Sequence, residues 1–162
     1  MSLVKQVPVP ARATELAGLT RVDYADAFTV PVATDRPPEE WVRRLIVSMP
    51  GLFAVVRVAH RTLGLKLEPA DGPDHVIGWD ILRSTDTEAV LGSSGALGGP
   101  RIVGLSSPGH VVISTLITLK NRRARVLWSI FAPLHRAVAR RALRELSAMS
   151  DELASEEHLG RR

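Results

Sequence analysis

Residues 109–149 constrain the fold of this chain more than any other stretch. An alternating run, His110-Val-Val-Ile-Ser-Thr-Leu-Ile-Thr-Leu119, leads through Lys120-Asn121-Arg122-Arg123 into helix-forming sequence that continues to Met149. The run is rich in Val, Ile and Thr, which suit a pleated strand, and its period of two marks a strand with two distinct faces. His110, Val112, Ser114, Leu116 and Thr118 share one face. Val111, Ile113, Thr115, Ile117 and Leu119 share the other, which is the more apolar. In the helix, a step of roughly 100° per residue gathers Leu127, Ile130, Phe131, Leu134, Val138 and Ala142 into one broad stripe, continued by Leu146 and Met149. That stripe is expected to face inward. Arg125, Arg136, Arg140 and Arg144 fall on the outer side, and so does Pro133. The missing N–H of Pro133 leaves the Ser129 carbonyl to water, so the helix is expected to bend outward there. His135 lies at the edge of the stripe, and Trp128 flanks it.

At 162 residues the chain is expected to form one domain with a sizeable core. We divide it into an N-terminal arm over 1–20, a single domain over 21–150 and a charged tail over 151–162. The sequence has no cysteine, which excludes disulfides, thiolate metal sites and cysteine nucleophiles and suits a reducing cytoplasm. No apolar run approaches the roughly 20 residues that a membrane-spanning helix needs. The start, Met1-Ser-Leu-Val-Lys-Gln-Val-Pro8, lacks the apolar core of a signal peptide. A soluble, cytoplasmic protein is expected.

The net charge is only +4, but no acidic residue lies between Glu88 and Glu145. That interval holds Arg101, Lys120, Arg122, Arg123, Arg125, Arg136, Arg140, Arg141 and Arg144. Such a patch attracts anions: a ligand carboxylate or phosphate, an acidic partner or a membrane surface. A solvated helix face near the acidic first half of the chain would carry the same pattern. Aromatic residues make up only 4%, and no helix-turn-helix, RNA-recognition or OB signature is visible, so no nucleic-acid partner is expected.

Upstream, residues 1–20 contain Pro8 and Pro10 and no clear period, which suggests a loosely attached arm. In Asp23–Val30, Tyr24, Phe28 and Val30 share parity, the pattern of a strand closed by Pro31. Asp35-Arg-Pro-Pro-Glu-Glu-Trp41 is a helix start, with proline and carboxylates in the first turn. Trp41, Leu45 and Met49 form its apolar stripe, and Pro50-Gly51 ends it. A second short helix is expected over 52–63, with Gly64 as its stop. A turn-rich loop over 68–75 is followed by short strands at 76–82, 88–91 and 101–105. The loop Ser93–Pro100 joins the last two.

Strands clustered in the middle, with one long helix at the end, make an α+β fold. A curved antiparallel sheet is expected to grip the long C-terminal helix, with two short helices after the first strand and an apolar space between sheet and helix. This order resembles the helix-grip fold of the START-like (SRPBCC) superfamily, and in particular an uncharacterised bacterial family of that fold. The residues that carry the resemblance are Asp23-Tyr24-x-Asp26-x-Phe28, Arg57 with Gly64-Leu65, Ser114-Thr115, Asn121, Arg125 and Pro133-Leu134-His135-Arg136. They span residues 22–145. The resemblance implies a fold and a cavity. It implies no reaction, because such domains include carriers, cyclases, hydrolase-like members and ligand-gated regulators.

Each candidate binding residue also has a plain structural reading. His135 could point a ring nitrogen inward as a hydrogen-bond partner or general base, or be a packed histidine near Pro133. Arg125 and Asn121, at the strand-to-helix junction, could clamp a ligand carboxylate, or be turn and helix-capping residues. Thr115 could bond a ligand or be a strand former. Trp41, Trp79, Trp128 and Phe131 could line a pocket or be core. His60, His75, His110, His135 and His158 show no metal-ligand spacing, and no nucleophile elbow or phosphate loop is present. No metal or cofactor is expected.

Three functions remain open. The first is a module that binds a small apolar or amphipathic ligand, neutral or anionic, with Arg or His fixing its polar end. The second is a cyclase- or hydrolase-type enzyme on the same cavity, with His135 as acid or base. The third is a peripheral membrane or protein-interaction domain using the basic outer face. The lack of a paired acid/base or nucleophile motif favours the first.

Overall fold

The computed structural model describes residues 4–33, 36–47, 74–76, 78–96 and 98–159. Its elements are β1 (Lys5–Gln6), α1 (Ala11–Ala17), β2 (Tyr24–Pro31), α2 (Pro38–Val47), β3 (His75–Val76), β4 (Trp79–Ser84), β5 (Glu88–Gly92), β6 (Gly98–Ser107), β7 (His110–Leu119) and α3 (Arg122–Leu159). The strands form one antiparallel sheet in the order β1-β2-β7-β6-β5-β4-β3. The fold is therefore α+β with a long C-terminal helix, the helix-grip layout. β6 and β7 make a hairpin whose turn uses Gly109 at φ +76°, a conformation that glycine reaches without a Cβ clash. β2 then pairs with β7 from Tyr24↔Ile117 to Pro31↔His110.

The strand expected at His110–Leu119 has those bounds, and the strand expected over 23–30 lies at Tyr24–Pro31. The stretch expected as one strand over 76–82 is two, because Gly78 at φ +83° turns the chain between β3 and β4. The strand expected over 101–105 is longer, since Gly98–Pro100 joins it and leaves a shorter loop. The second short helix expected over 52–63 lies outside the described residues, as do Arg57, His60 and Gly64-Leu65.

Residues 5–17 are more ordered than a loose arm. β1 pairs with β2 at the sheet edge. α1 ends at Gly18, in the left-handed region, whose N–H bonds the Glu15 carbonyl. Its short side chains, Ala13 and Ala17, are buried against Val90, Val103 and Leu116. The even-numbered face of β7, the less apolar one by sequence, is thus also covered.

The opposite face carries α2 and α3. Trp41 and Val42 of α2 pack with Phe28, Val30, Leu91, Val111, Leu143 and Leu146. α2 lies close to β6 because Gly104 is a glycine: a Cβ there would come within 2.9 Å of Pro38 Cβ. Glu39 and Glu40 at the start of α2 pair with Arg43 at 3.0 Å and Arg44 at 2.8 Å one turn on.

The register of α3 differs from the sequence expectation. Its buried residues are Ala124, Trp128, Ala132, Ala142, Leu143, Leu146, Ser147 and Ser150. Leu127, Ile130 and Leu134, expected inside, are exposed, with Ile130 at 73%. Trp128, expected at the flank, is central. Apolar size misleads in the first half of the helix: Ala124, Trp128 and Ala132 face the sheet while Val126, Leu127, Ile130 and Leu134 stay outside, and only later do aliphatics, Leu143 and Leu146, turn inward. Single exposed aliphatics are ordinary on a protein surface. Pro133 is exposed inside the helix, on the outer side as expected, and α3 continues through residues 151–159, where a tail was expected.

The helix register can be tested by paired truncations. Leu146→Ala should cost about 2–5 kcal/mol of unfolding free energy. Ile130→Ala should change it by no more than about 0.5 kcal/mol. Urea unfolding of both variants measures this, and a larger loss from Ile130→Ala would reverse the assignment.

Candidate functional site

Alternation along β2 places Tyr24, Asp26, Phe28 and Val30 on one face. Phe28 and Val30 are in the core beneath α3, so Asp26 is driven to the same interior. Its side chain is only 2% exposed. Burying a carboxyl group is costly unless it is partnered, so its surroundings are informative. The Tyr24 hydroxyl donates to Asp26 Oδ2 at 2.5 Å. His135 Nε2 lies 3.6 Å from the same oxygen, too far for a hydrogen bond. Asp26 Oδ1, His135 Nε2 and Trp128 Nε1 are all buried without a hydrogen-bond partner.

Four rings cluster at this group. Trp128 lies 5.1 Å from Tyr24, 5.4 Å from His135 and 5.6 Å from Phe131 between centroids. Tyr24 and His135 meet edge-on at 6.0 Å. Thr115 is the cross-strand neighbour of Asp26, on the same odd-numbered face of β7 as Ile113 and Ile117. The residues come together because the β2–β7 register sets Tyr24 and Asp26 beside Ile117 and Thr115. α3 then brings Trp128, Phe131 and His135, at helical spacing, over them. His135 is partly reached by solvent, with 24% of its side chain exposed, while Asp26 is at 2%.

The electrostatics follow from burial. Desolvation lowers the His135 pKa, the charge of Asp26 opposes this, and Arg136 adds to the lowering. His135 is therefore a neutral imidazole at neutral pH, with one nitrogen able to donate and the other to accept. Burial raises the Tyr24 phenol well above its ordinary range, and its hydrogen bond to Asp26 adds to that. Tyr24 stays a donor. The cluster thus holds one fixed donor, one buried carboxyl oxygen with an unused lone pair, and one neutral imidazole.

The other candidates lie elsewhere. Asn121 Oδ1 accepts from the Ala124 N–H at 2.9 Å and caps α3. Arg125 is 51% exposed and lies 3.6 Å from Asp23. Asp23 is the hub of that junction: it accepts from the Leu119 N–H at 2.7 Å and pairs with Arg21 at 3.0 Å. These contacts lower its pKa, the Leu119 hydrogen bond most, against an opposing effect of burial. Arg125 and Asn121 therefore serve the strand-to-helix corner, outside the Asp26 cluster. Trp79 packs with Trp41 in the other part of the core, while Trp128 belongs to the cluster with Ile117, Leu119, Tyr24 and Phe131. Ser114 is buried with an unpaired Oγ, on the α1 side of the sheet. Among the described residues, no group of His, Asp and Glu is placed to hold a metal ion.

Sequence reasoning passed over Tyr24 and Asp26 as site residues. The available signal was an acid at the apolar parity of a strand, between Tyr24 and Phe28.

No protein-family model matches the sequence, and no curated protein matches it. The crystal structure of CalU16 from Micromonospora echinospora is similar at 11% identity and a TM-score of 0.28, over 96% of this chain and 98% of that one. Likeness at that level carries no argument about fold or function. No helix among the described residues is long and apolar enough to cross a membrane.

The lowered pKa of His135 predicts a pH dependence. Above about pH 6.5, the ordinary imidazole value, the ring is neutral both folded and unfolded, and its contribution is fully present. As the pH falls, the unfolded chain takes up the proton first, so stability is lost until the folded value is passed. The urea midpoint should fall between about pH 7 and about pH 5.5, and His135→Gln should flatten that slope. Equal slopes in the two proteins would place His135 in a more solvated setting.

Proposed function

We propose that this chain is a START-like ligand-binding domain whose ligand places a polar group between α3 and the β2–β7 ladder. The observation that supports this best is the neighbouring of Asp26, His135 and Trp128, whose Oδ1, Nε2 and Nε1 atoms are each buried and unpaired. Leaving a buried donor or acceptor unmade costs about 1–3 kcal/mol. A ligand that supplied the missing partners would recover that cost on binding. One hydroxyl or amide can donate to Asp26 Oδ1 and accept from His135 or Trp128 at once. Tyr24, Trp128 and Phe131 would hold its apolar part. The ligand class is therefore small and amphipathic, with a polar end that both donates and accepts. Entry past His135 fits the partial exposure of that side chain.

A second reading is favoured by one observation, the placing of Asp26 3.6 Å from His135 Nε2. A carboxyl group beside a neutral imidazole can orient the ring and stabilise its protonated form. His135 would then be the acid or base of an enzyme on the same site.

Native mass spectrometry of the purified chain tests the first reading. Incubation with a panel of amphipathic alcohols and amides should give retained one-to-one adducts. Asp26→Asn keeps the shape but adds a donor where an acceptor is used, and should weaken retention about tenfold, which corresponds to about 1.4 kcal/mol. His135→Gln should weaken it comparably. Adducts that persist equally in both variants would place the ligand elsewhere, and turnover of a panel member that His135→Gln abolishes would favour the enzyme.

A further inference from the structure

We propose that the outer face of α3 docks on an anionic lipid surface. The observation is a second stripe on this helix, opposite the buried one. At roughly 100° per residue, Arg123, Leu127, Ile130, Leu134, Arg141 and Arg144 lie within one face. The aliphatic middle is open to solvent: Ile130 is 73% exposed, Leu134 49% and Leu127 39%, with Val126 beside them at 54%. Arg123 lies at one end, and Arg141 and Arg144 lie at the other, all exposed. The face is about 30 Å long, at about 1.5 Å per residue.

Charge decides the occupant. Residues 122–144 hold seven arginines and no acid. Arg125 faces Asp23, Arg140 reaches Gln6, and Arg141 pairs with Glu145 at the surface. Among the described residues, no ion pair engages Arg122, Arg123, Arg136 or Arg144. A second copy on this face would set arginines against arginines, which is repulsive. An anionic bilayer offers both chemistries at once. Its headgroups take the guanidinium ends, and its acyl boundary takes the short aliphatic strip. Arginine suits this geometry, because its stem lies along apolar surface while its head reaches the phosphate. The helix would lie flat, because Pro133 and the aliphatics share its solvent side while the opposite side is fixed to the sheet. The lipid-facing residues are distinct from the Asp26 cluster, so docking does not depend on a ligand there.

Co-sedimentation of the full chain with vesicles tests this. The vesicles are phosphatidylcholine alone, or with about 30% phosphatidylglycerol, at about 50 and about 500 mM salt. Binding is expected to the anionic vesicles at low salt, and to fall steeply at high salt. The double substitution Ile130→Ser with Leu134→Ser should weaken partition about tenfold with an unchanged thermal melt, since both side chains are exposed. Arg123→Ser with Arg144→Ser should weaken low-salt binding and flatten its salt dependence. The proposal is overturned by equal partition onto neutral vesicles, by no partition onto anionic ones, or by binding that the Ile130/Leu134 variant retains in full. It is also overturned if light scattering shows a dimer of the wild-type chain that the same variant dissolves, because a second copy then covers the face.

Discussion

The ladder between β2 and β7 is the contact on which both the fold and the candidate site depend. It joins residues 24–31 to residues 110–117, so the first long strand of the chain lies beside the last. Such a pairing closes a long loop, so its contacts must offset a large closure entropy. Once made, it fixes Tyr24 and Asp26 beside Ile117 and Thr115. The chain leaves β7 through Lys120 and Asn121 and returns as α3 across the strands just paired. Trp128 and His135 meet Tyr24 and Asp26 only through that return.

The helix can lie close to the ladder because its inner side is built from small residues. Ala124 and Ala132 leave room there for Trp128 and His135, and Ala142 sits beside the buried Leu143 and Leu146 further along. Two serines tie the far end of α3 down: Ser147 donates to the Pro31 carbonyl at 3.0 Å, and Ser150 Oγ accepts from the Ala33 N–H at 2.6 Å. The near end is held by the Asn121 cap and the Asp23 junction. Between these anchors sits the stretch of α3 that carries Trp128 Nε1 and His135 Nε2, both buried without a partner. The helix is thus secured at both ends and under-satisfied in its middle, the feature on which the proposed ligand site rests.

Elements with strong local signals were legible in the sequence. β7 was legible from its alternation and β-branched residues, and the start of α2 from its prolines and paired glutamates. The antiparallel α+β layout followed from the order of those elements. Long-range information was not legible. The register of α3 was misread because burial follows what faces the sheet, and in the first half of the helix that face holds Ala124, Trp128 and Ala132 rather than the larger aliphatics. The helix over 11–17 was hidden because its buried contacts are two alanines, whose pattern is weak in a window that begins with prolines. His135 was legible as a candidate, since it was the polar residue nearest an apolar stripe. Its neighbour Asp26 stood out only within the Asp23-Tyr24-x-Asp26-x-Phe28 pattern. Nothing local says that an acid on strand β2 will face a histidine more than 100 positions later.

The burial of β7 on both faces has a further consequence. In a sheet with one wet face, a slip of one residue turns the apolar set toward water and is heavily penalised. β7 carries Ile113 and Ile117 against α3 and Leu116 against α1, so a slipped strand would still bury aliphatic side chains on either side. Hydrophobicity alone specifies this strand's alignment weakly. The specification falls instead to polar contacts at its ends. Asp23 takes the Leu119 N–H, Thr118 Oγ1 donates to the Arg21 carbonyl, and Val32 N–H reaches the Gly109 carbonyl at 3.1 Å. Each of these breaks if β7 moves by one position. The charged corner around Asp23 therefore acts as an alignment mark for the whole sheet, in a chain whose apolar core would tolerate more than one answer.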